Sequence, residues 1–232
     1  MIRIERMEII GKGEHRLLKR WRNLLLLALI LIGGCEMDSK AQPEKLPDTV
    51  AFQDEFTREF MVSPKEVKEG YYLFKSKTGG FTMWFPKDAK INRGLYEKHD
   101  KYYESSVIAG VREQENIIYD IDMVYENRLR TEDIESDLFL LSADADYNGE
   151  YTKIEADRST IYFAKNEQHI SVDNKKDIVY KFFAYIKSNH SHQGVQFIYG
   201  VSCKDADRGC HINVDKEEER AKMLMKSIEF HD

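Results

Sequence analysis

Along the chain, the hydrophobic and polar positions change period several times, and each change predicts an element. Leu24 to Ile32 is an unbroken apolar run, well short of the roughly 18 to 20 residues a helix needs to cross a bilayer. Residues 36–47 (EMDSKAQPEKLP) are polar, contain two prolines and show no period, which predicts an extended tether. Phe52, Phe56 and Phe60 then recur every four residues, predicting a short helix over Asp48 to Met61 that Ser63-Pro64 ends. Tyr71 to Lys75 and the alternating Phe81 to Phe85, separated by Gly79-Gly80 and closed by Pro86, predict paired strands.

Strands over Ser106 to Arg112 and Ile118 to Tyr125 follow. In the second, Tyr119, Ile121, Met123 and Tyr125 fall on one face and Asp120 and Asp122 on the other, so one face is buried and the other partly wet. Thr131 is placed to cap a helix to about Ala143, with Ile134, Leu138 and Leu141 at helical spacing. Strands resume at Tyr151 to Glu155, Ser159 to Ala164, Ile178 to Lys187 and Val195 to Cys203, the last two joined by a polar hairpin turn, Ser188 to Gly194. Asp215 with Glu218 resembles a capping box opening a last helix, with Ala221, Leu224, Met225 and Ile228 as its apolar stripe. Hairpin-length links in this order predict an α+β fold, an antiparallel sheet with helices packed against it.

Composition narrows the picture. With 42% hydrophobic and 33% charged residues in 232, the chain has enough apolar material for one domain with a real core. The expected organisation is a signal peptide over 1–34, a lipidated N-terminus and tether over 35–47, and one extracytoplasmic domain over 48–232. Seven of the 35 basic and three of the 41 acidic residues precede residue 35, so the mature part carries about ten more acidic than basic groups. That sign repels phosphate backbones and anionic headgroups, which excludes nucleic acid as a partner and adhesion to lipid through a basic patch.

Arg16, Lys19, Arg20 and Arg22 precede the apolar run, and Gly33-Gly34-Cys35 follow it, the charged, apolar, small order of a secretory signal. Ile32-Gly33-Gly34-Cys35 resembles the lipobox of bacterial lipoproteins, with isoleucine where leucine is usual. The resemblance covers about the first 35 residues and implies that the Cys35 thiol takes a diacylglyceryl group, that the peptide is cut before it, and that the new amino group is open to acylation, with palmitate among the expected chains. At ~0.8 kcal/mol per buried CH₂, several acyl chains anchor the protein firmly to the outer face of the cell membrane. The long stretch before the basic cluster leaves Met1 and Met7 both open as the start. A looser similarity to Bacillus-type lipoproteins points to a Gram-positive source. The segment from Tyr71 to Phe230 resembles the PsbP/Mog1-like fold through two short motifs, the Phe85-Pro86-Lys87-Asp88 turn and the Leu224 to Ile228 helix end. Function does not follow from that resemblance, since the fold hosts many.

Candidate chemistry is sparse. Once Cys35 is lipidated, Cys203 and Cys210 remain as a pair in an oxidising compartment, and a disulfide there restricts the unfolded chain by about 2.5 kcal/mol. The spacing is not the Cys-x-x-Cys of a redox centre. Asp144, Asp146, Asn148, Gly149 and Glu155 match the calcium-loop pattern D-x-[DN]-x-[DN]-G-x₅-E. Tyr151 at its eighth position and the strand pattern after it favour an acidic turn instead. His190 and His192 in the hairpin turn, and His211 beside Cys210, lack further ligands at metal-like spacing. No nucleophile elbow, phosphate loop, His-Glu-x-x-His or dinucleotide fingerprint occurs. Trp84, Tyr119, Tyr180, Phe183, Tyr185 and Phe197 suit a sheet core better than a sugar platform. The expected function is therefore a non-enzymatic lipoprotein without cofactor that binds an envelope or surface protein and supports cell-envelope or surface-community behaviour. A calcium-responsive or small-ligand module is the alternative, and a cell-wall hydrolase the least favoured.

Overall fold

The computed structural model describes residues 46–172, 175–205, 208 and 210–231. Two helical turns, α1 (Val50–Gln53) and α2 (Glu55–Arg58), precede strands β1 (Met61–Lys68), β2 (Tyr71–Lys75), β3 (Phe81–Pro86), β4 (Ala89–Ile91), β5 (Glu97–His99), β6 (Tyr103–Arg112) and β7 (Ile117–Asn127). Helix α3 (Ile134–Ala145) follows, then β8 (Thr152–Glu155), β9 (Ser159–Val172), β10 (Lys175–Ser188), β11 (Gln193–Cys203), helix α4 (Val214–Lys226) and β12 (Glu229–Phe230). The fold is α+β, as expected.

Every strand pair is antiparallel. A smaller sheet has the order β1-β2-β3-β12, and a larger one β4-β6-β7-β11-β10-β9-β8 with β5 beside β6. Side chains of both sheets and of α4, among them Phe74, Phe85, Ile121, Phe197 and Leu224, form one continuous core, so the sheets face each other. A second, smaller core lies on the outer face of the larger sheet, where Leu141 and Ala145 of α3 meet Phe183, Tyr185 and Ala164. Among the described residues both cores draw on Ala51 onward, and Leu46–Asp232 is one compact unit with its own hydrophobic interior.

Alternation in β7 places Tyr119, Ile121, Met123 and Tyr125 inward, each at most 2% exposed, and Asp120 and Asp122 outward. The three early phenylalanines do pack into one core, but not from one helix. Asp54 breaks the run with an extended backbone and caps α2 by accepting from the Thr57 amide at 2.7 Å. Phe56 and Phe60 still contact at 5.3 Å between ring centres, and Phe52 packs on Tyr72 at 4.7 Å. Pro64 does not end structure either. It sits in β1, an edge strand where a missing amide donor costs no ladder bond.

Both helix caps lie two residues from the expected ones. Asp133, not Thr131, caps α3, accepting from the Ser136 amide. Thr131 is buried, and its hydroxyl donates to the carbonyls of Arg128 and His192. Asn213, not Asp215, caps α4. One buried carboxylate joins the sheets: Glu104 of β6 accepts from the Lys77 and Thr78 amides of the β2–β3 turn at 3.0 and 2.8 Å.

Candidate functional site

At one end of the sandwich the two sheets part around a cleft of about 630 Å³. Its walls are the Gly70-Tyr71 and Pro86 to Asp88 segments of the smaller sheet, the β6–β7 turn, and Arg220 and Leu224 of α4. Tyr119 and Tyr199 form the floor. Gly110, opposite Tyr119 in the β6–β7 ladder, makes room for that floor, because a Cβ there would sit 2.2 Å from the Tyr119 ring. The wall carrying Asp88 is fixed by the Lys87 amide donating to the Gly70 carbonyl at 2.9 Å.

The floor groups hold one another. The Tyr119 hydroxyl donates to Asp88 Oδ1 at 2.6 Å and the Tyr199 hydroxyl donates to Glu217 Oε2 at 2.6 Å. Glu217 is 1% exposed, the one carboxylate on the buried stripe of α4, and it meets Arg112 Nη2 at 2.8 Å and Arg220 Nη1 at 3.4 Å. The Arg112–Glu217 approach is an ion pair whose direction is not that of a hydrogen bond. Arg112 also donates from Nη1 to the Tyr199 hydroxyl and from Nε to Glu115, and its guanidinium covers the Tyr119 ring at 4.8 Å.

Burial opposes the charge on Arg112, yet Tyr199, Glu217 and Glu115 outweigh it and hold the guanidinium protonated. Burial first, and then the neighbouring carboxylates Asp88 and Glu217, push the Tyr119 and Tyr199 hydroxyls well above the usual phenol range. Both are neutral donors. Tyr71 at the mouth is raised by burial as well. The floor of the cleft thus presents fixed dipoles and paired charges.

The rim is braced by the disulfide. Cys203 and Cys210 are bonded, with Cα atoms 5.8 Å apart. The segment leaving β11 is stitched to the β6–β7 turn, since the Lys204 amide donates to the Asn116 carbonyl at 2.9 Å and Asn116 Nδ2 donates to the Asp205 carbonyl at 2.8 Å. Lys204 pairs with Glu113, and Lys216 of α4 with Glu115 at 3.1 Å.

The calcium-loop residues are not brought together. Asp144 lies in the last turn of α3, Asp146 ends that helix in the left-handed region at φ 53°, and Glu155 in β8 pairs with Lys153 at 2.8 Å. Asn148 and Gly149 lie in the intervening turn, where a hydrogen bond from the Tyr147 hydroxyl to the Glu150 carbonyl closes the loop on itself. The helix claims the first ligand and the strand the last, so the motif folds as an acidic turn. Among the described residues no group of three or more His, Cys, Asp or Glu is placed to hold a metal ion. His192 instead pairs with Glu132 at 2.9 Å, and His190 is exposed. Cys35 and the signal segment lie outside the described residues.

The cleft residues Arg112, Asp88 and Glu217 form no motif and come from separate elements. One signal was present: Glu217 stands four residues before Ala221, on the apolar stripe of α4. A charge on such a stripe implies a buried partner.

A family model named YvcA_Mog1p and described as "Putative lipoprotein YvcA" matches residues 47–229. The chain is 33% identical over 224 residues to "Putative lipoprotein YvcA" of Bacillus subtilis (strain 168), an alignment covering 88% of this chain and 93% of that protein. No helix among the described residues is long and apolar enough to cross a membrane. Over nearly the whole folded part and beyond, the chain therefore belongs to the YvcA family of Bacillus-type lipoproteins.

Proposed function

We propose that the protein is a lipid-anchored extracytoplasmic binding protein without catalytic activity, which supports cell-envelope or surface-community behaviour such as colony or biofilm formation. Its ligand sits in the cleft between the sheets. The observation that carries the reading is the self-paired floor: Asp88, Arg112, Glu217 and Arg220 are engaged with one another or with tyrosine hydroxyls. A nucleophile or general base needs a free lone pair within reach of substrate, whereas both oxygens of Glu217 and Oδ1 of Asp88 already accept from donors on the floor. Binding needs only placed donors, acceptors and an apolar edge, which Tyr71, Gln114, Leu224 and the ion pairs supply. Since the charges are balanced in place, the matching ligand is polar and uncharged or zwitterionic, such as a hydroxylated wall fragment.

Thermal melts of residues 46–232 with muropeptides test this, because a ligand of the folded state raises the melting temperature by mass action. The expected result is a rise that Arg220→Ala abolishes, with the muropeptide recovered intact by mass spectrometry. Cleaved product overturns the non-catalytic reading, and no shift overturns the cleft as ligand site. The anchor is tested separately. Cys35→Ala is expected to abolish lipid labelling and to release the protein or strand its precursor.

A further inference from the structure

The outer face of the larger sheet is covered unevenly. Helix α3 packs on β10 and β11, whereas on the β6–β7 side of the same face Ala109, Ile118 and Asp122 are exposed and Val107 and Val124 only half-buried. Where the helix stops, a groove of about 410 Å³ remains, lined by Asp120, Asp122, Val124, Asp144, Gln196 and Ile198, with Lys181 the one cation at its wall among the described residues. The register sets Asp122 beside Ile198 and Asp120 beside Gly200. Leu140 of α3, 44% exposed, stands one helical turn before Asp144 and so shares its side of the helix.

We infer that this groove receives a cationic, amphipathic segment of a partner protein, with apolar side chains on Ile118, Val124, Ile198 and Leu140 and lysines or arginines against Asp120, Asp122 and Asp144. The surface is independent of the cleft and does not rest on its ligand.

Three carboxylates face one lysine here, and the Lys181 ammonium is directed to the Asp144 carbonyl at 3.2 Å. No donor among the described residues reaches the Asp120 carboxylate in the way donors meet Glu104 and Glu217. Gly200 leaves room for Asp120 and gives it nothing in return, since a Cβ there would lie 3.0 Å from both its oxygens. Burial, with the charge of Asp122 adding to it, pushes the Asp120 pKa up to about 6. Anions held without donors next to apolar side chains are satisfied by an incoming cation that also covers the apolar surface. The sign of the charge rejects other occupants: anionic lipid headgroups and a second copy of this acidic domain are both repelled.

The test uses residues 46–232 and a labelled 14-residue helical peptide of lysine and leucine, read by fluorescence anisotropy against a glutamate-leucine counterpart. The lysine peptide is expected to bind, more weakly as salt rises, and the glutamate peptide not to bind. The double variant Asp120→Asn/Asp122→Asn is expected to weaken binding at least tenfold. It keeps the side-chain shapes and removes a repulsion, so it folds, and a melt verifies this. Ile118→Ser is expected to weaken binding as well. Equal affinity of the double variant and the parent overturns the proposal, and so does equal binding of both peptides or of neither. Binding of phosphatidylglycerol vesicles, or self-association that the double variant abolishes, overturns it in favour of a lipid or a second copy.

Discussion

The cleft floor and the outer groove both hold carboxylates away from bulk water, and they treat them in opposite ways. Glu217 is surrounded by Arg112, Arg220 and the Tyr199 hydroxyl. Asp120 has Asp122 for a neighbour and Lys181 only at a distance. A satisfied buried charge rigidifies a site, and an unsatisfied one is a standing cost that a partner can remove. The difference teaches that burial of an acid alone says little, and that its donors decide whether it holds the fold or waits for a partner.

The largest test of this contrast is Glu217→Gln, which removes the buried carboxylate beside Arg112, a side chain 11% exposed, and leaves it Glu115 at 3.1 Å as its remaining ion-pair partner. We expect a loss of about 3 kcal/mol in urea unfolding, or roughly 6–12 °C for a domain of this size. Pairing it with Arg112→Met should return most of that loss. A loss under about 1 kcal/mol for the single variant would break the comparison at its stronger end.

Next in size is Cys203→Ala/Cys210→Ala, expected to cost about 2.5 kcal/mol through loop entropy and to weaken any cleft ligand, since the segment leaving β11 is tied to the β6–β7 turn. Groove binding should be unaffected. Gly110→Ala drives a methyl into the Tyr119 ring and is expected to cost about 2 kcal/mol by overpacking, read by the same unfolding curves.

The smallest effect has the opposite sign. With its pKa raised to about 6 in the fold against about 3.9 in the unfolded chain, Asp120 binds more protons folded than unfolded between those values. Stability therefore falls as pH rises from about 4 to 6 and is flat above. Asp120→Asn is expected to stabilise by about 1 kcal/mol at pH 7.5, after discounting for solvent screening, and by nothing at pH 4. Destabilisation at pH 7.5 would show that Asp120 is satisfied after all and erase the contrast with Glu217.

Much of this was legible beforehand. The alternation of β7 gave its buried tyrosines and its wet aspartates, and the long strands and both long helices were read within a few residues except β9, which runs on from Ala164 to Val172. The short strands β4, β5 and β12 were not, because two or three residues carry no period. β1 was hidden by Pro64, whose usual meaning is a stop and whose meaning on an edge is tolerance. The calcium motif matched in residue types, but the helix end and the strand start pull its first and last members apart. The cleft could not be read, since its residues meet only when the two sheets do. The groove was half visible: the aspartate face of β7 was known, but not that α3 would leave it bare.

The order of strands in the larger sheet also sets a timetable. β6 with β7, and β9 through β11, are local meanders that can zip up early. The ladder joining them pairs 117–127 with 193–203, across the whole excursion through α3, β8, β9 and β10. Closing so long a loop is expected to be the slow step in completing this sheet. Until it closes, β7 and β11 are open edges with apolar inner faces, which other chains can extend. The chain's escape from self-association therefore depends on how quickly this seam is sewn.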